Sequence, residues 1–254
     1  MLGNDIVDLL DPESRPETFR PGFDERVFSV AERRAIVDDV NPLARRWAHW
    51  AAKEAAYKLA RQIDPHFVFS PGKLVACYAP VANLNGRRLE RRGRLNLNRP
   101  VGPSPASRVT TGSLNKITTV ELRSFETSER IHVVAIALNE DWGEVEFAVE
   151  RQGREDSSMA VRKLALGEIS RSLGISRSRL SIGTRGRIPT IELDGSRTPL
   201  SLSLSHHGNW IGYAMRLCVN PLRPKLWTER LPLEKQPDQP GDRGLLNRGP
   251  VISP

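Results

Sequence analysis

Cysteine and long hydrophobic runs are scarce in this sequence. Cys77 and Cys218 are the two cysteines in 254 residues, and they lie far apart with no C-x-x-C or other metal-ligand spacing. This usage predicts a chain with reduced thiols in the cytoplasm. No stretch approaches the roughly 18 apolar residues of a membrane span, and Asp5 and Asp8 stand where a signal peptide needs an apolar run. We therefore expect no membrane segment and no export signal.

Apolar residues are also fewer than usual. They make up 39% of the chain, which is low for a globular protein without being a signature of disorder. The 38 Lys and Arg against 30 Asp and Glu give a net charge of +8. A positive chain favours anionic partners, whether nucleic acid, phosphate-bearing ligands or acidic proteins. The length suits one domain or two fused small domains.

The most informative stretch is an alanine-rich helix predicted over about 43–63, starting after Asn41-Pro42 and stopping at Asp64-Pro65. At about 100° per residue, one stripe of this helix holds Trp47, Trp50, Ala51, Glu54, Ala55 and Lys58. Charges on the buried side of a helix are costly unless they are paired or bound to a charged ligand. Glu54 and Lys58 therefore indicate either an ordinary i,i+4 ion pair or a binding site.

A strand is predicted at residues 1–9, ended by Asp11-Pro12. Alternation places Asp5 and Val7 on one face and Ile6 and Asp8 on the other. Asp is depleted in strands, so two of them need a reason. They indicate either an edge strand with solvated acids or a metal-binding carboxylate on a rigid strand.

Residues 83–116 are poor in large apolar groups and predict a loop insertion. The insertion contains a basic cluster at Arg87, Arg88, Arg91, Arg92 and Arg94. A solvated loop is the simpler interpretation, and a nucleic-acid footprint over 85–94 is the alternative. The absence of aromatic residues to stack bases weakens that alternative. Residues 221–254, rich in proline, predict an extended or disordered tail.

A second helix is predicted over about 159–173, with Arg162 inside its apolar stripe and Lys163 at the margin. Arg162 indicates either a structural pair or a contact to a phosphate. Strict Leu and Ser alternation over 200–205 predicts a half-buried strand, and His206 follows at its end, where a loop can present it.

Three motifs together resemble the 4′-phosphopantetheinyl transferases. They are Gly3-x-Asp5-Ile6-Val7-Asp8, Trp50-x-x-Lys53-Glu54-Ala55-x-x-Lys58 and Leu204-Ser205-His206. The chain has the length of the surfactin-type class, but its motif order resembles the holo-acyl-carrier-protein synthases. We therefore expect a pseudo-dimer with its halves in permuted order.

The resemblance implies transfer of phosphopantetheine from coenzyme A to a serine of an acidic apo carrier protein, with Mg²⁺ as cofactor and release of 3′,5′-ADP. Asp5 and Glu54 would hold the metal, Glu54 or a metal-bound water would take the serine proton, and Lys58 would face the pyrophosphate. Coenzyme A phosphates would be held by Lys58 and by five residues of the second half, which are Arg162, Lys163, Arg187, Ser205 and His206. Whether the carrier serves fatty-acid, polyketide or nonribosomal-peptide synthesis is left open.

The expected fold class is α+β: two small halves, each a short antiparallel sheet packed on a long helix, with the active site between them. The first half would span 1–150, including the 83–116 insertion, and the second would span 151–220. The resemblance implies a monomer without nucleic-acid or membrane partners. A degenerate member that binds coenzyme A without transfer, and a basic nucleic-acid-binding protein, are the alternatives.

Overall fold

The computed structural model describes residues 1–79, 89–97, 118–153 and 156–217. These ranges contain four α-helices, α1 (Phe23–Val27), α2 (Val30–Val37), α3 (Pro42–Ile63) and α4 (Ser157–Leu173). They also contain ten strands: β1 (Leu2–Asp8), β2 (Val75–Tyr78), β3 (Leu89–Asn96), β4 (Thr119–Glu126), β5 (Arg130–Ala137), β6 (Val145–Arg151), β7 (Leu180–Arg185), β8 (Ile188–Leu193), β9 (Ser196–His207) and β10 (Trp210–Leu217). None of the helices in these ranges is long and apolar enough to cross a membrane.

The strands form two five-stranded antiparallel sheets. The first sheet has the order β1-β5-β4-β3-β2, and the second has the order β6-β10-β9-β8-β7. The expected mixture of helices with antiparallel sheets is therefore confirmed. The second sheet begins with β6 at Val145, because β6 pairs with β10 rather than with the first sheet.

Helix α3 packs on one face of the first sheet. Asn41 caps it by accepting from the Ala44 amide at 3.0 Å, and Pro42 occupies its first turn, as the sequence predicts. Its small buried residues are Ala48, Ala51, Ala52, Ala55 and Ala56. They share a core with Val7, Leu95, Leu122, Ile131 and Val133 of the sheet. The alanines let the helix axis lie close to the strands.

The opposite face of the first sheet packs on the second sheet. Leu2, Val134 and Ile136 of the first sheet form a core with Ala214 of β10, and Phe147 of β6 packs against it. On the far side of the second sheet, Val161 of α4 packs with Ile211. The described chain is therefore layered as helix, sheet, sheet and helix.

The interpretation of 83–116 as a loop is wrong for residues 89–96, which form β3 between β2 and β4. Arg91 is buried and bonds Glu126 and Asp39 at 2.9 Å each, while Arg92 and Arg94 point outward. An arginine at an inward position hid the alternation of the strand. Residues 83–88 and 98–116, and the predicted tail at 221–254, lie outside the described residues.

Side chains of β9 cover the free edge of β1. The Asn4 amide donates to Ser203 Oγ at 2.9 Å, and the Asp8 amide donates to His207 Nδ1 at 3.1 Å. Ser203 and Ser205 are both buried, so β9 is covered on both faces and the prediction of a half-buried strand is wrong. Unpaired amides on an edge strand invite pairing with another chain, and these side chains satisfy two of them.

The first and last strands of the described chain also meet at Glu140. Its carboxylate lies 2.9 Å from the Met1 ammonium and 2.8 Å from Nη1 of Arg216 in β10. Glu140 itself follows β5, so one side chain joins the beginning of β1 to the end of β10.

Candidate active site

Gly3 brings β1 against α3. A β-carbon at this position would overlap the Ala55 carbonyl and would lie 2.8 Å from the Leu59 nitrogen. A side chain is therefore excluded here by the helix backbone. Asp5 lies two residues further along β1 and faces the same helix. It lies near the part of α3 that carries Glu54 and Lys58.

Lys58 bonds directly to β1. Its Nζ donates to Asp5 Oδ1 at 2.8 Å and to the Asn4 carbonyl oxygen at 3.0 Å. The side chains are 30% and 14% exposed for Lys58 and Asp5, so the pair lies at the edge of solvent. The i,i+4 ion pair between Glu54 and Lys58, one of the two alternatives from the sequence, is not the contact found, because the Lys58 ammonium bonds to β1.

The pKa of Glu54 is far from that of an ordinary glutamate. Burial and, to a smaller degree, the negative charge of Asp5 raise the pKa of Glu54 to about 7, against the opposing effect of Lys58. A carboxyl that titrates near neutral pH is suited to accept a proton in a reaction at that pH. The strand and the helix that carry these three residues follow regular periodicity, so both elements were predictable from the sequence.

The residues fit a magnesium ion. Asp5 and Glu54 offer hard carboxylate oxygens on two rigid elements, close enough for the charge of one to alter the pKa of the other. Mg²⁺ binds through one or two carboxylates and substrate phosphates while keeping several waters. Val7 lies on the α3 side of β1 and is buried in the core with Ala51 and Ala55, so it offers no third oxygen.

Lys53 precedes Glu54 but points into the protein interior. It is fully buried, and its Nζ contacts a Glu32 carboxylate oxygen at 2.9 Å. Lys53 is not on the apolar stripe that the sequence predicts for this helix, yet it is buried. Its partner belongs to α2, a tertiary contact that periodicity does not reveal.

The predicted coenzyme A ligands of the second half occupy separate places. Arg162 of α4 is half-buried and donates from Nη1 to the Ile182 carbonyl of β7 at 3.3 Å. Lys163 is exposed and lines a cavity of about 420 Å³ bounded by α4, β6 and β10. Arg187 is exposed in the two-residue turn between β7 and β8, beside Gly186 with φ of 62°.

Ser205 and His206 lie next to each other on opposite faces of β9. Ser205 is buried and accepts from Asn4 Nδ2 at 2.9 Å, whereas His206 is exposed. Strand alternation puts His206 on the same face as Leu204, which packs with Val161 of α4.

Asp8 holds the turn that follows these residues. Its Oδ2 accepts from the Asn209 amide at 2.9 Å, and its Oδ1 accepts from the Leu10 amide at 2.9 Å. Gly208 has φ of 52°, and a β-carbon there would lie 2.7 Å from Asp8 Cβ. The second acid of β1 is therefore a buried turn anchor rather than a solvated edge residue.

Sequence reasoning missed one group of ligand-type atoms. Oxygens of Asp11 and Glu13 lie with a ring nitrogen of His207 within 4.8 Å of one another. Asp11 also accepts from the Glu13 amide at 2.8 Å. These residues come from opposite ends of the described chain, so no local spacing in the sequence brings them together.

Residues 1–67 match the family model of the 4′-phosphopantetheinyl transferase superfamily. No curated protein matches the chain. The matched segment contains β1 and α3, and with them Asp5, Glu54 and Lys58. The resemblance that the motifs carry, to the 4′-phosphopantetheinyl transferase superfamily, is thereby confirmed over residues 1–67.

Proposed function

We propose that this protein transfers the 4′-phosphopantetheine of coenzyme A to a serine of an acidic apo carrier protein and releases 3′,5′-ADP. The observation that carries the proposal is the meeting of Asp5, Glu54 and Lys58 inside the segment that matches the family. The match of residues 1–67 to this superfamily supports phosphopantetheinyl transfer in general. The carrier, the metal and the leaving product are parts of our proposal.

In the reaction, the serine oxygen forms a bond to the phosphorus that bears pantetheine, and the bond from that phosphorus to the bridging oxygen breaks. We assign the serine proton to Glu54, whose pKa burial and Asp5 raise in the metal-free chain. Lys58 orients and neutralises the pyrophosphate from its place beside Asp5. Asp5 and Glu54 would hold Mg²⁺, which supplies further charge neutralisation when bound.

The second half supplies the remaining charge for coenzyme A. We assign phosphate contacts to His206, Lys163, Arg187 and Arg162, of which the first three are exposed. The Ser205 hydroxyl is buried against Asn4, so we assign Ser205 to holding β9 on β1. The two sheets with their helices then correspond to the two halves of a monomeric pseudo-dimer, and the site lies between them.

The net charge of +8 suits both partners, because coenzyme A and carrier proteins are anionic and electrostatic attraction speeds their encounter. A nucleic-acid footprint over 85–94 gains little support from the described part of that segment. Arg91 is buried in ion pairs, and Arg92 lies 3.2 Å from Glu90. We keep the cytoplasm as the expected compartment.

The test is a mass spectrum of apo carrier protein after incubation with this protein, coenzyme A and Mg²⁺, with and without EDTA. We expect the carrier to gain one phosphopantetheine, and we expect EDTA to prevent the gain. Glu54→Gln and Asp5→Asn should abolish transfer. Asp194→Asn, in the exposed turn after β8, is the matched control and should retain it.

Three results would argue against the proposal. Coenzyme A binding without transfer to any of several carriers would indicate a degenerate member of the family. Absence of both binding and transfer would contradict the function as a whole. Full transfer by Glu54→Gln would contradict the role given to that carboxylate.

A further inference from the structure

Lys53 stands out because its charge is buried without access to solvent. The side chain is 0% exposed, and its Nζ contacts Glu32 at 2.9 Å, the Pro71 carbonyl at 3.0 Å and the Leu74 carbonyl. An ammonium has three protons to donate, and three acceptors surround this one. Lys53 therefore has no donor left for a ligand.

The Glu32 carboxylate likewise has several protein donors. Besides Lys53, its carboxylate accepts from the Ala76 amide at 2.9 Å and from the Ser29 amide at 2.8 Å. The second contact belongs to the capping box that begins α2. Burial on its own would raise the pKa of Glu32, but His49, Lys53 and the Ala76 amide lower it to about 2, so the carboxylate is ionised.

The Glu32–Lys53 pair joins three separate parts of the first half. It connects the start of α2, the middle of α3 and the segment 71–76 that leads into β2. Acceptors from two other elements hold the Lys53 side chain, so rotation of α3 about its axis would break their contacts. The next residue of α3 is Glu54, about 100° further around the helix.

A buried ion pair often adds little to stability, because apolar residues of similar volume can stabilise the fold as much or more. Such pairs contribute directional contacts that apolar packing lacks. Here the directional contacts act on the residue adjacent to the carboxylate of the site.

We propose that the buried Glu32–Lys53 pair positions Glu54 against Asp5 by fixing the rotation of α3, so that Lys53 is a positioning residue and does not contact coenzyme A. This inference rests on the proposed function, since it concerns the metal-binding carboxylates of that site. Lys53 acts through the helix backbone, whereas Lys58 bonds to Asp5 itself.

The test compares Glu32→Gln/Lys53→Met with the matched control Arg91→Met/Glu126→Gln. Both double variants remove a buried pair with a 2.9 Å contact; Arg91 and Glu126 lie on strands, and Arg91 also pairs with Asp39 between α2 and α3. Each folded protein is titrated with Mn²⁺ by electron paramagnetic resonance, without carrier protein. Coenzyme A binding is measured by calorimetry in EDTA.

We expect Glu32→Gln/Lys53→Met to weaken Mn²⁺ binding about tenfold or more, the range found when supporting partners of metal ligands are removed. The dissociation constant for coenzyme A should change by less than about twofold. The control should leave both affinities near the wild-type values. In a Glu54→Gln background, the Glu32/Lys53 substitutions should have no further effect on Mn²⁺, because the pair acts through Glu54.

Wild-type Mn²⁺ binding by folded Glu32→Gln/Lys53→Met would overturn the positioning role, as would a large loss of coenzyme A affinity in that variant. If this variant does not fold, Glu32→Asp retains the charge but withdraws the carboxylate, and the same outcomes apply to it. Wild-type protein that neither binds Mn²⁺ nor transfers would overturn the proposed function itself, and the positioning role with it.

Discussion

Gly3 sets the distance between the two elements that carry the site. Its α-carbon lies so close to α3 that the Ala55 carbonyl and the Leu59 nitrogen occupy the space of a side chain. The motif Gly-x-Asp therefore has a mechanical explanation: the glycine lets β1 approach, and the aspartate two residues later reaches the helix.

Gly3→Ala should force β1 away from α3. We expect it to lower the free energy of unfolding by about 1–3 kcal/mol, the usual effect of overpacking a core, and to weaken Mn²⁺ binding. Urea denaturation and a metal titration measure the two effects. Gly167→Ala in α4 is the control, because a β-carbon there meets nothing within 4 Å and should stabilise the helix by about 1 kcal/mol. Equal behaviour of the two variants would contradict the packing argument.

The altered acidity of Glu54 makes stability depend on pH. The folded chain holds this proton with a pKa of about 7, against 4.5 for an ordinary glutamate. Because the folded state binds the proton more tightly, the free energy of unfolding should fall as pH rises from about 4.5 to about 7, by on the order of 3 kcal/mol.

Urea midpoints of the metal-free protein at pH 5 and pH 8 measure this effect. Glu54→Gln should be more stable than the wild type at pH 8 and similar to it at pH 5. The exposed Glu17→Gln serves as control and should follow the wild type. A Glu54→Gln profile parallel to that of the wild type would show that another group causes the pH dependence.

At the level of residues, the sequence predicted the position of a side chain where that position follows from strand or helix periodicity. Asp5, Glu54 and Lys58 were assigned to the faces that they occupy. The role of Lys53 was not predictable, because it depends on Glu32 and on two carbonyl groups of the segment 71–74. The sequence alone does not distinguish a buried charged residue from an exposed one, because burial depends on partners that are distant in the chain.

At the level of single elements, β9 shows how polar residues can occupy a buried face. Its serines follow strict alternation and would ordinarily face water. They bond instead to the free edge of β1, where Ser203 accepts from the Asn4 amide and Ser205 accepts from the Asn4 side chain. The strand β3 was missed for a related reason, since Arg91 occupies an inward position that is usually apolar.

Ser203→Ala should leave the Asn4 amide without its partner in a buried place. We expect a loss of about 1–3 kcal/mol in the free energy of unfolding, the desolvation penalty of an unsatisfied amide. Ser196→Ala, exposed at the start of the same strand, should change stability by less than about 0.5 kcal/mol. Calorimetric or urea unfolding measures the stability of both variants. A Ser203→Ala protein as stable as its control would mean that the amide finds another partner.

In the molecule as a whole, the described halves share one core between their sheets. Leu2 and Ile136 from the first sheet pack with Ala214 from the second, and residues 1–218 form one compact unit. The mixture of helices with antiparallel strands was predictable from periodicity and caps. The way the sheets meet was not, because it rests on contacts between residues about 80 to 200 positions apart.

Ile136→Ala should weaken both halves together. Ile136 is fully buried, and removing its outer carbons should cost about 2–5 kcal/mol. Hydrogen exchange should then accelerate to a similar degree in peptides from β5 and from β10, because the shared core links their opening. The exposed Val68→Ala is the control and should leave both unchanged. Acceleration confined to the first sheet would show that the halves unfold independently.

The junction at Glu140 bears on how genes for such proteins can be arranged. Met1 and Arg216 meet at one carboxylate, so a short connection from the end of β10 to the start of β1 would leave the described layers undisturbed. A new start could then lie between β6 and α4. The segment carrying His206 would precede the segment carrying Asp5 in such a gene, and the same contacts would form. The order of the two segments along a gene could therefore change while the contacts of the described layers are kept.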